Sequence, residues 1–218
     1  MKPKSKKYKC IIFDCDGVLV DSEPISNQVM VDLANQLGAY IDLEYAYMHF
    51  KGNSFNECAN KISKLITQEL PNDFEEQYRK ESFKRFKNEI KPIDGVKDVL
   101  RDLTIPFCVA SSGPMNKIKL NLELTGLSSF FQEKTIFSCY TIGKWKPDPA
   151  VFLWASRAMG FTIDECLVIE DSSIGIEAAV KGGFDVFGYT AHDYKGELHK
   201  KATNTFYHMN LLPELLKL

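Results

Sequence analysis

The chain has little of what marks several classes of protein. Its six cysteines (Cys10, Cys15, Cys58, Cys108, Cys139, Cys166) form no CxxC pair and no dense cluster. A disulfide framework or structural zinc site would need one or the other, so buried reduced thiols in a cytoplasmic setting are expected. No apolar run nears the ~18–20 residues of a membrane span, so no membrane partner is expected. Lysines crowd the first nine residues, but Asp14, Asp16 and Asp21 break the stretch that follows, so no secretory signal is expected there. A basic excess is missing too: 27 Lys+Arg stand against 29 Asp+Glu, which argues against a nucleic-acid partner. The four histidines (His49, His192, His199, His208) lack metal-ligand spacing.

What is present is ordinary globular material, 44% hydrophobic and 26% charged over 218 residues. Compact apolar and β-branched runs at 8–13, 107–110, 135–140, 166–169 and 186–189 read as strands buried on both faces, as in a parallel sheet. Helical patterns at 96–103, 116–124, 150–159 and 174–181 alternate with them. Strand alternating with helix predicts an α/β fold with a doubly wound, Rossmann-like parallel sheet. Residues 24–90 break that alternation with helix signals alone. Ile25, Val29, Met30, Leu33 and Leu37 form one apolar stripe, ended by Gly38. Ser54 and Glu57 have capping-box spacing ahead of Cys58, Ala59, Ile62, Leu65 and Ile66. A charged helix from 73 to 89 would bury Phe74, Tyr78, Phe83 and Phe86. The expected organisation is a core of residues 1–22 and 91–218 with an all-helical cap at 23–90. The crossings near 21–23 and 90–92 would act as hinges.

The first strand runs into Asp14-Cys15-Asp16-Gly17, and the strand at 166–169 into Glu170-Asp171-Ser172. Strand carboxyl ends form the ligand crevice of a doubly wound sheet, so these acids would meet there. Two like charges ~4 Å apart repel by roughly 4 kcal/mol at an effective dielectric near 20, so such a cluster calls for a cation. Oxygen donors in an open site suit Mg²⁺. The second strand ends in Ser111-Ser112-Gly113, a hydroxyl and backbone N–H groups able to hold an anion. Lys146, in Lys-Trp-Lys-Pro-Asp-Pro, would stand over the same crevice. Together these groups could neutralise a transferring phosphoryl group.

Asp-x-Asp, Ser, Lys and Glu-Asp in this order, at successive strand ends, resemble the haloacid-dehalogenase (HAD) superfamily. The helical segment is similar to the cap of its β-phosphoglucomutase-like subgroup, so the resemblance spans essentially the whole chain. It implies that Asp14 is the nucleophile, forming an aspartyl-phosphate, and that Asp16 is the acid/base. Asp16 would need a raised pKa for that duty. Ser111 would bind the transferring phosphate and Lys146 would neutralise it. Asp14, Asp171 and the backbone carbonyl of Asp16 would hold Mg²⁺, with Glu170 supporting the metal site.

Finer features favour a phosphatase over a mutase. The mutases carry a cap arginine after a Lys-Gly pair and a histidine early in the first cap helix; Phe55 and Ser26 stand at those places here. Segments such as Phe50-Lys51-Gly52, Gly113-Pro114 and Trp145-Lys146-Pro147 are similar to the 6-phosphogluconate phosphatase branch of the family. The implied reaction is Mg²⁺-dependent hydrolysis of a small sugar or sugar-acid phosphomonoester, 6-phosphogluconate among them. A β-phosphoglucomutase-like phosphosugar mutase is the alternative. Ser112 and Gly113 on the core and Lys51 and Arg79 on the cap are the candidate substrate-binding residues. A small phosphorylated metabolite is the expected partner, and the chain is expected to act as a monomer. Asn116 and Lys117 could touch substrate, but a helix start explains them adequately. A phosphoacceptor receiver module would lack both the helical insert and an acid at the position of Asp16, and a dehalogenase would lack that acid.

Overall fold

The computed structural model describes residues 8–50, 53–193 and 196–216. Among them, six strands form one parallel sheet: β1 (Cys10–Phe13), β2 (Phe107–Ser111), β3 (Ile136–Ser138), β4 (Cys166–Glu170), β5 (Asp185–Tyr189) and β6 (Asn204–Phe206). Their spatial order is β3-β2-β1-β4-β5-β6. This is the doubly wound arrangement, with its chain reversal between β1 and β4. Every residue of β1 and of β4 is buried, as central parallel strands require. Successive side chains take opposite faces: Ile11, Phe13, Leu167 and Ile169 enter one cluster, Cys10, Ile12, Cys166 and Val168 the other.

The first four helices follow β1: α1 (Glu23–Gln36), α2 (Leu43–His49), α3 (Phe55–Ile62) and α4 (Phe74–Glu89). They share a cluster of their own, built from Val29, Met30, Leu33, Ala34, Ala46, Phe50, Cys58, Ile62 and Phe74. The two chain crossings into this group are stitched together. Val20 and Pro92 form an antiparallel bridge, the Asp21 N–H donates to the Lys91 carbonyl at 2.9 Å, and the Ile93 N–H to the Leu19 carbonyl at 3.0 Å. The remaining helices are α5 (Val96–Asp102), α6 (Met115–Leu124), α7 (Cys139–Ile142), α8 (Ala150–Met159), α9 (Ser173–Lys181) and α10 (Leu212–Leu216). Val96, Val99, Ile118 and Leu122 from α5 and α6 cover one face of the sheet. Val151, Phe152, Ile176 and Ala179 from α8 and α9 cover the other. Each such side chain, fully buried, contributes about 1.5–3 kcal/mol. All six cysteines are free and buried. No helix among the described residues is long and apolar enough to cross a membrane.

Several local expectations fail for identifiable reasons. Helix α2 has no apolar stripe, only Ala46 being buried, and it starts on an Asp42 cap that accepts from the Tyr45 N–H at 2.8 Å. Hydrophobic periodicity cannot see such a helix. The capping box at Ser54 and Glu57 is present, but α3 stops at Ile62 and leaves Leu65 exposed. There the Ser63 hydroxyl donates to the Asn60 carbonyl, a local bond that competes with helix propagation. The run at 135–140 is strand only to Ser138, whose side chain caps α7 and carries Tyr140 onto a helix. Strand β6 has three residues and an exposed start, too little pattern to recognise.

Candidate active site

Register brings the acids together. Phe13 of β1 pairs with Ile169 of β4, and the Asp14 N–H donates to the Ile169 carbonyl at 2.9 Å. The residues leaving these adjacent strands, Asp14 and Glu170-Asp171, therefore emerge side by side at the chain reversal. Carboxylate oxygens of Asp14, Glu170 and Asp171 lie within 4.8 Å of one another, and all three residues are buried.

Lys146 reaches this group from the loop before α8. Its ammonium lies 2.7 Å from Asp14 Oδ1, 2.6 Å from Glu170 Oε1 and 3.2 Å from the Ala110 carbonyl, with its side chain 4% exposed. Burial pulls the Lys146 pKa down, but Asp14 and Glu170 outweigh it and the net shift is upward, so the lysine is charged. Burial pushes the Asp14 carboxyl up, Lys146 opposes it, and Glu170 and Asp171 add to the rise, which leaves it well above the ordinary range. A divalent cation would offset that crowding: with all three carboxylates ionised against one ammonium, two negative charges would be left for it to balance.

Two glycines shape the cluster. Gly17 has φ +81°, and a methyl group there would stand 2.3 Å from Asp171 Oδ2. Gly175, in the first turn of α9, would place a methyl 1.9 Å from Glu170 Oε1. Both carboxylates thus lie directly on backbone. Glu170 is the more fully engaged: besides Lys146, it accepts from the N–H and the hydroxyl of Ser172, each at 2.9 Å. An all-oxygen donor set with excess negative charge and glycine-fitted walls suits a hard divalent ion such as Mg²⁺.

Asp16 stands apart from the three-carboxylate group. One of its oxygens accepts from Lys117 Nζ at 2.8 Å, the other from the Ser22 hydroxyl and, at 3.4 Å, from Asn121 Nδ2. Burial raises its pKa, yet Lys117 and Ser22 more than offset this and the net shift is downward. That corrects the expectation of a raised value: a buried ammonium, not apolar surroundings, faces this carboxylate. It equally corrects the treatment of Lys117 as a mere helix start. A signal for Lys117 was available, since a cation in the first turn of a helix opposes the macrodipole and α6 has no acid there to balance it.

Ser111 ends β2 almost fully buried, and its Oγ accepts from the Gly113 N–H at 3.0 Å. Ser111, Ser112 and Gly113 line a cavity of about 210 Å³ together with Asp14, Asp16, Lys146, Glu170 and Asp171. The opposite wall comes from α1, α3 and α4, including Ser26, Phe55, Tyr78 and Phe83. Tyr78 and Phe83 are thus cavity-facing and half-buried, while Phe74 and Phe86 of the same helix are buried as expected. Arg79 also lines the cavity, but it is engaged: it pairs with Glu75 and donates to the Tyr140 hydroxyl at 2.7 Å, joining α4 to α7. Lys51 lies outside the described residues. Cys15, beside the candidate nucleophile, is buried in the core, and burial pushes its thiol well up.

Known proteins share this sequence and architecture. A sequence model described as haloacid dehalogenase-like hydrolase matches residues 11–189. The 6-phosphogluconate phosphatase of Escherichia coli K12 is 35% identical over 213 residues, covering 97% of this chain and 96% of that protein. A conserved haloacid dehalogenase-like protein of unknown function from Agrobacterium tumefaciens superposes with a TM-score of 0.86 at 31% identity, over 96% of this chain and 98% of that one. A HAD family hydrolase from Deinococcus radiodurans, solved with bound phosphate and sodium, has a TM-score of 0.79 at 26% identity, over 97% and 96% of the two chains. By its match to that model and its likeness to these proteins along nearly its whole length, this chain belongs to the haloacid dehalogenase-like hydrolase family.

Proposed function

We propose that this phosphoric monoester hydrolase acts on a small sugar or sugar-acid phosphate, with Mg²⁺ as its metal and a phosphoryl ester on Asp14 as its intermediate. The observation that carries the reading is the buried group of Asp14, Glu170 and Asp171 held by Lys146 at the floor of the cavity. Residues 23–90 form a cap domain over a core of residues 1–22 and 91–218. Asp14, Asp171 and the Asp16 carbonyl would hold the ion, and Glu170 acts mainly by fixing Lys146. When bound, Mg²⁺ supplies charge neutralisation for the transferring group.

Lys146 orients the Asp14 carboxylate, one oxygen of which attacks phosphorus as the ester P–O bond breaks. Ser111 and the N–H groups of the turn after it steady the phosphoryl oxygens. Asp16, which Lys117 favours in its ionised form, takes up the proton of the phosphate monoanion as substrate binds and passes it to the leaving oxygen. Water then attacks the same phosphorus, its proton passes to Asp16, and the Asp14 carboxylate is released. The helical wall excludes bulk water during the first step. Because Ser26 and Phe55 both line the cavity, neither position offers a cation for a second phosphate, which favours phosphatase over mutase.

The relative at 35% identity makes 6-phosphogluconate the first substrate to test. Phosphate release should require Mg²⁺, and Asp14→Asn should lower kcat by at least about a thousandfold, in line with loss of a nucleophile. Retention of more than a few per cent of turnover in Asp14→Asn would refute the assignment.

A further inference from the structure

Lys117 is a buried cation in the cavity that the proposed reaction leaves without a task. Its side chain is 18% exposed, its Nζ sits 2.8 Å from Asp16 Oδ2, and it stands 5.7 Å from the centroid of the Phe86 ring on α4. It is thus clasped between the sheet-end acids and the helical wall. Placing it there is costly twice over: burial disfavours the charge, and the first turn of a helix repels it.

The other two cavity cations among the described residues are committed elsewhere. Lys146 serves Asp14, Glu170 and the Ala110 carbonyl, and Arg79 serves Glu75 and Tyr140. An ammonium has three N–H groups, and Asp16 is the hydrogen-bond acceptor for one of those on Lys117. Position decides what the others can meet. A methyl built on Gly113 would lie 3.4 Å from Ser111 Oγ, 3.6 Å from Lys117 Cδ and 3.7 Å from Asp16 Oδ2, so phosphate-binding hydroxyl, acid/base and lysine converge on one spot. If Asp16 hydrogen-bonds the leaving oxygen, Lys117 Nζ lies within two hydrogen-bond lengths of it, about 5–6 Å. That is the reach of an oxygen on the neighbouring carbon of the leaving group.

We infer that Lys117 reads the leaving group: its ammonium binds a hydroxyl or carboxylate oxygen on the carbon next to the ester, which makes polyol phosphates and their acids the preferred substrates over plain alkyl phosphates. The inference rests on the acid/base placement of Asp16 in the proposed function. Lys117 is here a specificity-determining residue, and its contact with Asp16 couples recognition of the leaving group to the group that protonates it.

The test compares glycerol 1-phosphate with propyl phosphate, which have the same carbon chain with and without the neighbouring hydroxyls. The wild type should favour glycerol 1-phosphate in kcat/KM. Lys117→Met should lower the ratio of kcat/KM for glycerol 1-phosphate over propyl phosphate by on the order of tenfold to a hundredfold, the worth of a hydrogen bond to a charged group, on top of whatever loss its contact with Asp16 imposes on both esters. Lys117→Arg, which keeps the charge but moves the donors, should fall between the two and serves if Lys117→Met does not fold. An equal loss on both esters would show a role confined to Asp16 and overturn the inference. So would a wild type that treats the two esters alike. Hydrolysis of no phosphomonoester at all would instead remove the phosphatase reading, and this inference with it.

Discussion

The two walls of the cavity are built from different chemistry. On the sheet side stand Asp14, Asp16, Lys146, Glu170 and Asp171, nearly all buried, with Asp14, Asp16, Lys146 and Glu170 held by named partners at 2.6–2.9 Å. Facing them, α1, α3 and α4 offer mostly neutral polar and aromatic groups, Ser26, Asn27, Phe55, Tyr78 and Phe83 among them, with Glu23 and Arg79 as their charged residues. Side chains at strand ends inherit their positions from the hydrogen-bonded register of the sheet, so charges can be set against one another with little freedom to relax. Helical faces pack through replaceable side chains and can change selectivity without disturbing that arrangement. On the proposed reading chemistry and choice reside apart: the sheet edge would carry the reaction, and the helical wall together with Lys117 the selection.

The sharpest way to break the sheet side alone is Gly175→Ala. At an ordinary helix position this change stabilises by up to about 1 kcal/mol. Here the methyl would collide with Glu170 Oε1, so the carboxylate must swing away from Lys146 and Ser172. Thermal stability should change by no more than about 2 kcal/mol, because the tip of a flexible side chain can yield. Turnover should nevertheless fall on the order of a hundredfold, the cost of an ångström-scale misplacement in a reacting group. A variant with unchanged kcat would show that Glu170 does not set the position of Lys146.

An intermediate effect sharpens the electrostatic half of the contrast. The native pKa of Asp14 is raised above its unfolded value, chiefly by burial. A raised carboxyl binds its proton more tightly in the folded state, so without the ion this group costs stability as pH rises through its native pKa. Bound Mg²⁺ replaces that proton. The upward shift in Tm on adding Mg²⁺ should therefore be larger at pH 8 than at pH 5, when measured by calorimetry at fixed ionic strength. Equal shifts at the two pH values would place the ion away from Asp14.

The smallest effect is expected at the junction of the two walls. Tyr140→Phe removes the hydroxyl that accepts from Arg79 and leaves the ring stacked edge-on against Trp145. Loss of one partly exposed bond should cost about 0.5–1.5 kcal/mol at most. It should raise KM a fewfold with little change in kcat, since α4 is held less firmly over the sheet. A drop in kcat without a change in KM would instead tie Tyr140 to the chemistry.

Sequence reading reached the sheet-side residues because strand ends carry short, ordered signals: Asp-x-Asp after an apolar run, Ser after the second, Glu-Asp after the fourth. It did not reach Lys117, Tyr140 or Gly175. Lys117 meets Asp16 and Tyr140 meets Arg79 across long stretches of chain, and Gly175 meets the carboxylate of Glu170, five residues earlier, only because the strand-to-helix turn folds one onto the other. Helix α2 and strand β6 escaped for a simpler reason, having too few buried positions to show a period.

Local physics, then, settled the main strands and helices of this chain and which carboxylates leave the sheet, because burial on two faces and the order of turn residues are written along the backbone. Only the folded state decided what those carboxylates face. Whether such an acid is raised or lowered in pKa depends on burial and on its distance from charges of each sign: Asp14 and Asp16 both face an ammonium, but burial and the nearby Glu170 and Asp171 raise only Asp14. That distance is fixed by packing between segments a hundred residues removed, and no local pattern encodes it.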